Sequence, residues 1–336
     1  MAPDRIDQQI LHALHLFPRA PFARIAAVIG VSEQTVARRY QRLRTAGVVR
    51  VLARANPARR PGKSYWTLRI GCRPGTAAAL ADALARRTDT SWVGIGAGGA
   101  EITCQALVDE REAGLLHHLP RASNVLAFSA HQVLHRFAGR GEADWVATGN
   151  ELDEAQRAAL LEGVPAVTDD RSVRVEGSDA GLLDALTQDG RASWAALAAA
   201  TGWTQRQVAQ RVAALTTSGA IYFDLDVASS AVGIHSAASL WFTVAPAHLT
   251  EAGARLADHP ELAYAAAVTG RTNLMASVMC RDATALYHYL TTKVAALPGV
   301  QSVETVPLLA RVKQTHFLIR DGRVHDLGPP AERPRR

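Results

Sequence analysis

Residues 10–49 read ILHALHLFPRAPFARIAAVIGVSEQTVARRYQRLRTAGVV, and residues 182–221 read LLDALTQDGRASWAALAAATGWTQRQVAQRVAALTTSGAI. These segments align without a gap at an offset of 172 positions, and 15 of their 40 residues are identical. The same offset places Ser64 on Ser236, Leu68 on Leu240 and Gly98 on Gly270. One duplicated unit of about 135 residues therefore accounts for most of the chain.

Each copy opens with three short segments in which apolar residues recur at helical spacing. Gly30 ends the second segment of the first copy, where a glycine can adopt the left-handed conformation that turns the chain. Ser32 then offers an N-cap for the third segment. In the second copy Gly202 makes the turn and Thr204 is the cap, with Gln207 at the capping-box spacing. Both copies therefore predict a helix-turn-helix.

The outward face of each third helix carries side chains suited to the major groove of DNA. Amides and hydroxyls contact base edges, and arginine reaches guanine or phosphate. Nine basic residues and no acid lie between positions 38 and 63, so we expect the first copy to supply more of the phosphate-driven affinity. The candidate DNA-binding residues are Ser32, Gln34, Thr35, Arg38, Arg39 and Arg42 in the first copy and Thr204, Gln205, Arg206, Gln207, Gln210 and Arg211 in the second. For either copy taken alone, a small helical bundle that touches no nucleic acid is the alternative.

A second pattern follows each module and has the order βαββαβ. In the second copy the predicted elements span 236–244, 249–257, 262–269, 274–279, 284–297 and 300–309. In the first copy they span 64–70, 76–87, 92–96, 101–108, 111–118 and 125–134. This order predicts an α+β, ferredoxin-like split unit with an antiparallel sheet and two helices on one face.

The whole chain thus divides into six predicted segments. They are a helix-turn-helix (winged-helix-like) domain at 1–55, an α/β domain at 62–137, an acidic linker at 138–178, a second helix-turn-helix domain at 179–228, a second α/β domain at 234–319 and a flexible tail at 320–336. Within the linker, the pattern at 152–161 favours one short helix.

Composition, hydropathy and charge indicate the broad class of protein. Hydrophobic residues make up 48% of the chain, its mean hydropathy is −0.01 and its formal net charge is +6, which fits a folded, mildly basic protein. No apolar run approaches the roughly 18 residues that span a bilayer, and the N-terminus lacks the apolar core of a signal peptide. We therefore expect a cytoplasmic protein. Cys72, Cys104 and Cys280 are far apart and have no metal-ligand spacing, so we expect buried thiols, no metal and no cofactor.

The chain resembles the leucine-responsive regulatory protein/AsnC family of bacterial and archaeal transcription regulators. The shared motifs are Asp4-Arg5-Ile6-Asp7-x-x-Ile10-Leu11, Asp189-Gly190-Arg191, Leu197-Ala198-x-x-x-Gly202, Val208-x-x-Arg211-Val212-x-x-Leu215, Gly219-Ala220-Ile221 and Val268-Thr269-Gly270. The resemblance covers residues 5–137 and 179–318. It implies that the two sheets pair side by side, so that one chain supplies what two subunits normally provide, with further homo-oligomers through the α/β domains left open.

The resemblance also implies a small-molecule effector, often an amino acid, near the glycine loop of the α/β domain. The corresponding candidates are Gly96, Gly98, Gly99 and Glu101 in the first copy and Thr269, Gly270, Arg271, Thr272 and Asn273 in the second. Many relatives have an acid after this loop to hold an ammonium group, a position taken by Glu101 and Asn273 here. The alternative is that these loops only connect strands. Because the halves differ, we expect an asymmetric operator rather than a palindrome.

An enzyme is the main alternative, because siroheme decarboxylases resemble the same fold and also occur as fused pairs. They carry a His-Asn-Tyr-type signature at the start of the strand before the glycine loop. The matching stretches here, Trp92-Val93-Gly94-Ile95 and Tyr264-Ala265-Ala266-Ala267, lack both the His and the Asn. No nucleophile elbow or phosphate loop is present in the sequence, and His131 and His135 are interpreted as surface residues. We therefore expect no enzymatic activity. A sensor or assembly protein that has lost DNA binding is the third interpretation.

Overall fold

The computed structural model describes residues 3–56, 62–109, 114–139, 151–168 and 170–326. The chain forms two compact units, each built from both copies. Unit 1 combines Met1–Pro61 with Arg140–Val232, and unit 2 combines Gly62–Gly139 with Gly233–Arg336. The two helix-turn-helix modules therefore share one unit, and the two α/β domains share the other.

Unit 1 contains the two predicted helix-turn-helix modules, each followed by one strand. The first module consists of α1 (Arg5–Leu16), α2 (Phe22–Ile29), α3 (Glu33–Thr45) and β1 (Val49–Ala55), and the second consists of α7 (Ala180–Gln188), α8 (Trp194–Thr201), α9 (Gln205–Thr217) and β6 (Ile221–Val227). Gly30 and Gly202 both adopt the left-handed conformation, with φ of 74° and 72°, at the ends of α2 and α8. The glycine turns are thus where the sequence predicts them.

β1 and β6 form a two-stranded antiparallel sheet that joins the modules. Leu52 lies opposite Asp224, and these two residues occupy the same position in their copies because they are 172 residues apart. Pairing of equivalent residues occurs where a two-fold axis crosses an antiparallel pair. The modules are therefore related by an approximate two-fold axis that passes between Leu52 and Asp224.

Unit 2 is a closed barrel of eight strands covered by helices. The first copy supplies β2 (Lys63–Cys72), α4 (Ala77–Ala85), β3 (Thr90–Gly96), β4 (Glu101–Asp109), α5 (Gly114–His118) and β5 (Val125–Ala138), and the second supplies β7 (Ser236–Val244), α10 (Leu249–Ala257), β8 (Leu262–Val268), β9 (Leu274–Cys280), α11 (Ala283–Tyr289) and β10 (Val300–Arg311). The barrel order is β10-β3-β4-β2-β5-β8-β9-β7. Each copy thus contributes a four-stranded ferredoxin-like sheet, and the last strand of each sheet pairs with the second strand of the other.

Three apolar clusters fill unit 2. Two lie between the sheets and their own helices, around Leu68 and Ile102 in the first copy and around Leu240 and Leu274 in the second. A third cluster surrounds the fully buried Trp241 and includes residues of β8, β9 and β10. Apolar side chains along the strands therefore pack on both sides of each sheet, against the helices on one face and against other side chains on the opposite face.

The linker contains the short helix that its sequence favours, and the predicted flexible tail is partly ordered. In the linker, α6 (Glu154–Leu161) packs on the first module, with Leu160 fully buried and the Leu152 N–H donating to His12 Nδ1 at 2.9 Å. At the C-terminus, a hairpin of β11 (Leu318–Arg320) and β12 (Arg323–His325) occupies part of the predicted flexible tail. Val324 is buried there, so apolar burial anchors the tail up to that point. The remainder of the tail lies outside the described residues.

Across the described ranges, none of the helices is long and apolar enough to cross a membrane.

Candidate nucleic-acid interface and ligand-binding loops

Helix α3 presents an open polar face. Ser32 caps the helix, its Oγ accepting the Thr35 N–H at 3.2 Å. Gln34 and Arg38 are exposed, and neither makes a hydrogen bond or ion pair with any part of the chain that the structure describes. Both side chains are therefore free to meet a ligand surface, and Ser32 and Thr35 serve first to fix the start of the helix.

Arg39 and Arg42 are bound within the module. Arg39 Nη1 lies 2.6 Å from Asp4 Oδ2 and 2.9 Å from Asp7 Oδ1, and Arg42 Nη2 lies 2.5 Å from Asp7 Oδ2. The Asp7 side chain is 1% exposed, compared with 18% for Arg39 and 41% for Arg42. The pKa of Arg39 is raised by its hydrogen bonds to Asp4 and Asp7. Arg39 thus fastens α3 to α1, and only Arg42 of this pair retains a half-exposed guanidinium.

The second module repeats this ion pair. Arg211 donates from Nε and Nη2 to the buried Asp179 at 2.8 and 2.7 Å, and each partner is 172 positions from its counterpart in the Arg39–Asp7 pair. Although burial alone would raise the pKa of Asp179, hydrogen bonds from Arg211 and the Glu176 backbone hold it below its usual value. The two predicted DNA-contact residues Arg39 and Arg211 therefore have structural partners, a role that helical spacing alone does not reveal.

Helix α9 offers a less basic face than α3. Gln205, Arg206 and Gln210 are exposed, whereas Gln207 accepts hydrogen bonds from Thr204 and closes a capping box. The positions of Arg38, Arg42 and Arg44 are taken in α9 by Gln210, Ala214 and Thr216. Helix α9 therefore lacks three arginines at equivalent sites, and this difference is offset by Arg206 in place of Gln34 and by neutral Gln205 in place of Glu33.

The glycine loop after β8 is held by the first copy. The Thr269 carbonyl lies 2.7 Å from His131 Nδ1, and Thr269 Oγ1 accepts the Gln132 N–H at 2.8 Å. The carbonyl is an acceptor, so His131 carries its proton on Nδ1. Gly270 has a φ of +116°, and a Cβ there would meet His131 Nδ1 at 2.7 Å, so glycine is required. His131 is 8% exposed, which corrects its interpretation as a surface residue.

The acid-like positions after the two loops are also engaged. Asn273 Oδ1 accepts the Val244 N–H at 2.9 Å, and its Nδ2 donates to the Val244 carbonyl at 2.8 Å. Glu101 receives two hydrogen bonds from Arg69, at 2.9 and 2.8 Å. Neither side chain therefore offers a free oxygen for an ammonium group. Among the effector candidates, the exposed groups are Gly98, Gly270 and Arg271.

A charged and aromatic cluster lies beside these loops. Arg69 also binds Glu304 at 2.8 and 2.7 Å, and these bonds raise the pKa of Arg69 and lower that of Glu304. Arg69 Cζ stands 4.9 Å from the centroid of the Trp241 ring, and His131 lies 5.0 Å from it on centroids. Local sequence patterns do not indicate this cluster, because it depends on which strand edges meet.

The described ranges also bear on metal binding and on thiol chemistry. No group of three or more His, Cys, Asp or Glu residues is placed to hold a metal ion there. The three cysteines are buried and unpaired, and burial raises the pKa of Cys104 to about 12 and that of Cys280 to about 11. Buried thiols with raised pKa values are weak nucleophiles.

Comparison with known families agrees with this architecture. The model of the AsnC-type helix-turn-helix domain matches residues 4–44 and again 178–216, and the model of the Lrp/AsnC ligand binding domain matches residues 237–317. The chain thus has the features of a DNA-binding transcription regulator with a ligand-binding domain. These matches confirm the resemblance to the Lrp/AsnC family and the fold class drawn from the sequence, and the repeated helix-turn-helix match supports a tandem duplication.

Two curated relatives match over 40–44% of this chain. An uncharacterized HTH-type transcriptional regulator of Pyrococcus abyssi is 28% identical over 149 residues, which are 44% of this chain and 94% of the relative. Regulatory protein AsnC of Escherichia coli K12 is 28% identical over 137 residues, 40% of this chain and 90% of the relative. The length matched in each relative is close to that of one copy of this duplicated chain.

One solved structure matches nearly the whole chain. The siroheme decarboxylase NirDL superposes with a TM-score of 0.60 at 11% identity, over 93% of this chain and 92% of that one. At this level of identity the likeness concerns the fold alone. A fold like that of this chain therefore occurs in an enzyme.

Proposed function

We propose that the protein is a sequence-specific regulator of transcription that binds double-stranded DNA chiefly through α3. The observation that carries this is the exposed face of that helix, where Gln34 and Arg38 have no partner among the described residues. Amide and guanidinium groups on a recognition helix read base edges and phosphates. Arg42, half-exposed beside Asp7, adds a second cation.

The two modules present two recognition helices in one compact unit related by an approximate two-fold axis. Such pairs read two half-sites on one face of the duplex. The second helix has Gln210 where the first has Arg38, so it contributes fewer phosphate contacts. The operator is accordingly two unlike half-sites, with the stronger one under α3.

The test is a binding series with the purified chain and DNA from upstream of its own gene, at several salt concentrations. Arg38→Ala is expected to lower affinity about tenfold and to reduce the slope of log K against log salt by about 0.9. Arg255→Ala is the control, because Arg255 is an exposed arginine of unit 2 that pairs only with Glu251 among its described contacts. If wild type fails to bind this DNA or a genomic fragment pool at low salt, the proposal is wrong.

We further propose that a small molecule modulates DNA binding at the loop Thr269–Asn273. Arg271 is exposed in this loop, Gly270 leaves its backbone uncovered, and His131 ties the loop to the other copy. An exposed cation beside an exposed glycine suits a carboxylate. The carboxylate of Glu101 is occupied by Arg69, so the effector is recognised by its acid group and not by an ammonium.

Recognition through a carboxylate alone predicts that amino acids and 2-oxo acids both bind. Thermal shift is measured with amino acids and with the 2-oxo acids that share their side chains. A 2-oxo acid is expected to stabilise the chain at least as well as its amino acid, and Arg271→Ala is expected to abolish the shift. A shift given only by amino acids, or one that persists in Arg271→Ala, contradicts this mode of recognition.

The enzymatic alternative is tested on the same preparation. An iron-uroporphyrin III analogue has been seen in complex with the siroheme decarboxylase NirDL. Titration of this chain with an iron porphyrin, followed by absorbance, is expected to show no saturable binding. Tight binding together with a failure to bind DNA would favour the enzyme.

A further inference from the structure

The joining sheet of unit 1 has one apolar and one charged face. Residues directly opposite in an antiparallel pair place their side chains on the same face. One face of β1 and β6 is apolar on both strands, with the pairs Val49–Val227, Val51–Leu225, Ala53–Phe223 and Ala55–Ile221. The other face carries the pairs Arg50–Asp226, Leu52–Asp224 and Arg54–Tyr222. On this charged face, all the basic residues belong to the first copy and all the acidic ones to the second.

We infer that the two copies are built to pair with each other and not with the same copy of a second chain. Because Leu52 and Asp224 are equivalent and opposite, pairing two first copies would set Arg50 against Arg54 of the other chain. That face would hold four arginines and no acid. Pairing two second copies would instead gather four aspartates. Asp224 and Asp226 are 6% and 2% exposed, and like charges at such depth strongly disfavour a pair.

The barrel of unit 2 shows the same preference independently. Arg69 and Trp241 are 172 positions apart and meet in a cation–π contact. Arg69 pairs across strands with Ser129, whereas Trp241 pairs with Glu304, so Ser129 and Glu304 are equivalent. If the first copies of two chains paired instead, Arg69 would therefore face the Arg69 of the other chain. The hydroxyl of Ser129 would then stand where the Glu304 carboxylate lies. Opposite charge and the aromatic face are available only when unlike copies meet.

The charged face of β1 and β6 and the contact between Arg69 and Trp241 both favour pairing of the two copies within one chain. The partner that fits β1 is β6, and the partner that fits the edges of the first sheet is the second sheet. Specificity of this kind comes from repulsion in the wrong pairing as much as from attraction in the right one. Larger assemblies, where they form, use surfaces other than these.

Disulfide trapping at the axis distinguishes the pairings in the full-length chain. Opposite residues of an antiparallel pair have Cα atoms about 4.5–5.5 Å apart, within the range of a disulfide. Leu52→Cys/Asp224→Cys is expected to form a bridge within one chain under mild oxidation. Leu52→Cys alone would bridge two chains only if first copies pair, so it is expected to stay free. Efficient chain dimers from Leu52→Cys would overturn the inference.

Charge reversal gives a second measurement. Arg50→Glu faces Asp226 with a like charge and is expected to shift the unfolding equilibrium roughly tenfold toward the unfolded chain. Arg50→Gln, which loses the same hydrogen bond to the Arg44 carbonyl, separates charge from packing and should cost less. Arg50→Glu/Asp226→Lys is expected to recover most of the loss. Equal stability of Arg50→Glu and Arg50→Gln, or no recovery in the double variant, would show that charge does not select the pairing.

Discussion

Arg19 and Arg191 occupy equivalent positions in the two copies, and each guanidinium clamps the loop of the other module. Arg19 donates to the Gly190 and Ala192 carbonyls at 2.5 and 3.1 Å. Arg191 donates to the Pro18 and Ala20 carbonyls at 2.7 and 2.8 Å. Each also stacks on an aromatic ring 4.4 Å away, Arg19 on Trp194 and Arg191 on Phe22, which are themselves equivalent. The interface between modules is thus an isologous contact made within one chain.

We expect these clamps to require arginine. Burial and the nearby charge of Arg191 lower the pKa of Arg19 to about 10, which leaves Arg19 charged at neutral pH, and burial also lowers the pKa of Arg191. Arg19→Lys and Arg191→Lys each lose a two-pronged donor and a stacked plane. Each is expected to reduce the free energy of unfolding by about 2 kcal/mol in urea titrations. Arg255→Lys, on an exposed i,i+4 pair, should change it by less than about 0.5 kcal/mol.

The result of the double variant follows from the repulsion between the two cations. Arg19→Met and Arg191→Met each remove the repulsion together with one set of bonds, whereas the double methionine variant removes that repulsion only once, so its loss should be larger than the sum of the two single losses. If the single lysine variants unfold at the same urea concentration as wild type, the clamps do not hold the modules together.

The first module should lose stability in mild acid. Burial, followed by the nearby His12, lowers the pKa of His15 to about 4, and burial also lowers the pKa of His12. Unfolded histidine titrates near 6.5, so the unfolded chain takes up protons between pH 6.5 and 4 that the folded chain does not. Stability is therefore full above pH 6.5 and falls by roughly 3 kcal/mol for His15 as the pH drops to about 4.

A matched variant isolates this effect. The second copy has Thr187 at the position of His15, so His15→Thr introduces a residue that the fold already accepts there. Urea midpoints are compared at pH 7 and pH 5 for both proteins. His15→Thr should show a smaller decrease in the free energy of unfolding between these values, by about 2 kcal/mol. An identical decrease in both proteins would mean that His15 is protonated equally in the folded and unfolded chains.

Local sequence patterns predicted much of the fold, because the spacing of apolar residues agrees along the chain with the residues that begin and end each element. The predicted strand 236–244 and helix 249–257 have the bounds of β7 and α10. The helix predicted at 284–297 differs, since α11 ends at Tyr289 and a wider π-helical turn follows at Leu290–Val294. Ala130 pairs with Leu68, and Thr305 pairs with Leu240, so the offset between copies has grown from 172 to 175. The second copy is three residues longer here, a change that apolar periodicity does not locate.

Long-range pairing limits what could be predicted about the sites. β5 was expected to end at residue 134, yet it continues to Ala138 because its last residues pair with β8. His131 gained its contact with Thr269 from that same pairing. The outward residues of α3 were accessible to prediction because helical spacing fixes them, whereas the partners of Arg39 and Glu101 depend on which elements pack together.

Gly190 is expected to be essential for the close approach of the modules. Its N–H donates to the Val51 carbonyl at 2.7 Å, and a Cβ at this position would lie 2.8 Å from both Cα and N of Leu52. Gly190→Ala should therefore lower the free energy of unfolding by about 1–3 kcal/mol through steric strain. Gly177→Ala in the same unit is the control, because nothing lies within 4 Å of its added Cβ. Similar urea midpoints for the two variants would indicate that the modules separate easily.

The weaker recognition helix can be converted toward the stronger one. Gln210 is exposed on α9 at the position of Arg38, so Gln210→Arg adds one cation where the first module already has one. If both helices meet the duplex, Gln210→Arg should steepen the slope of log K against log salt by about 0.9, and Arg38→Gln should flatten it by the same amount. Competition between a half-site for α3 presented once and the same half-site presented as a palindrome should then favour the palindrome more in Gln210→Arg than in wild type. A slope unchanged by Gln210→Arg, with Arg38→Gln effective, would show that α9 does not touch the DNA backbone and that a single module binds.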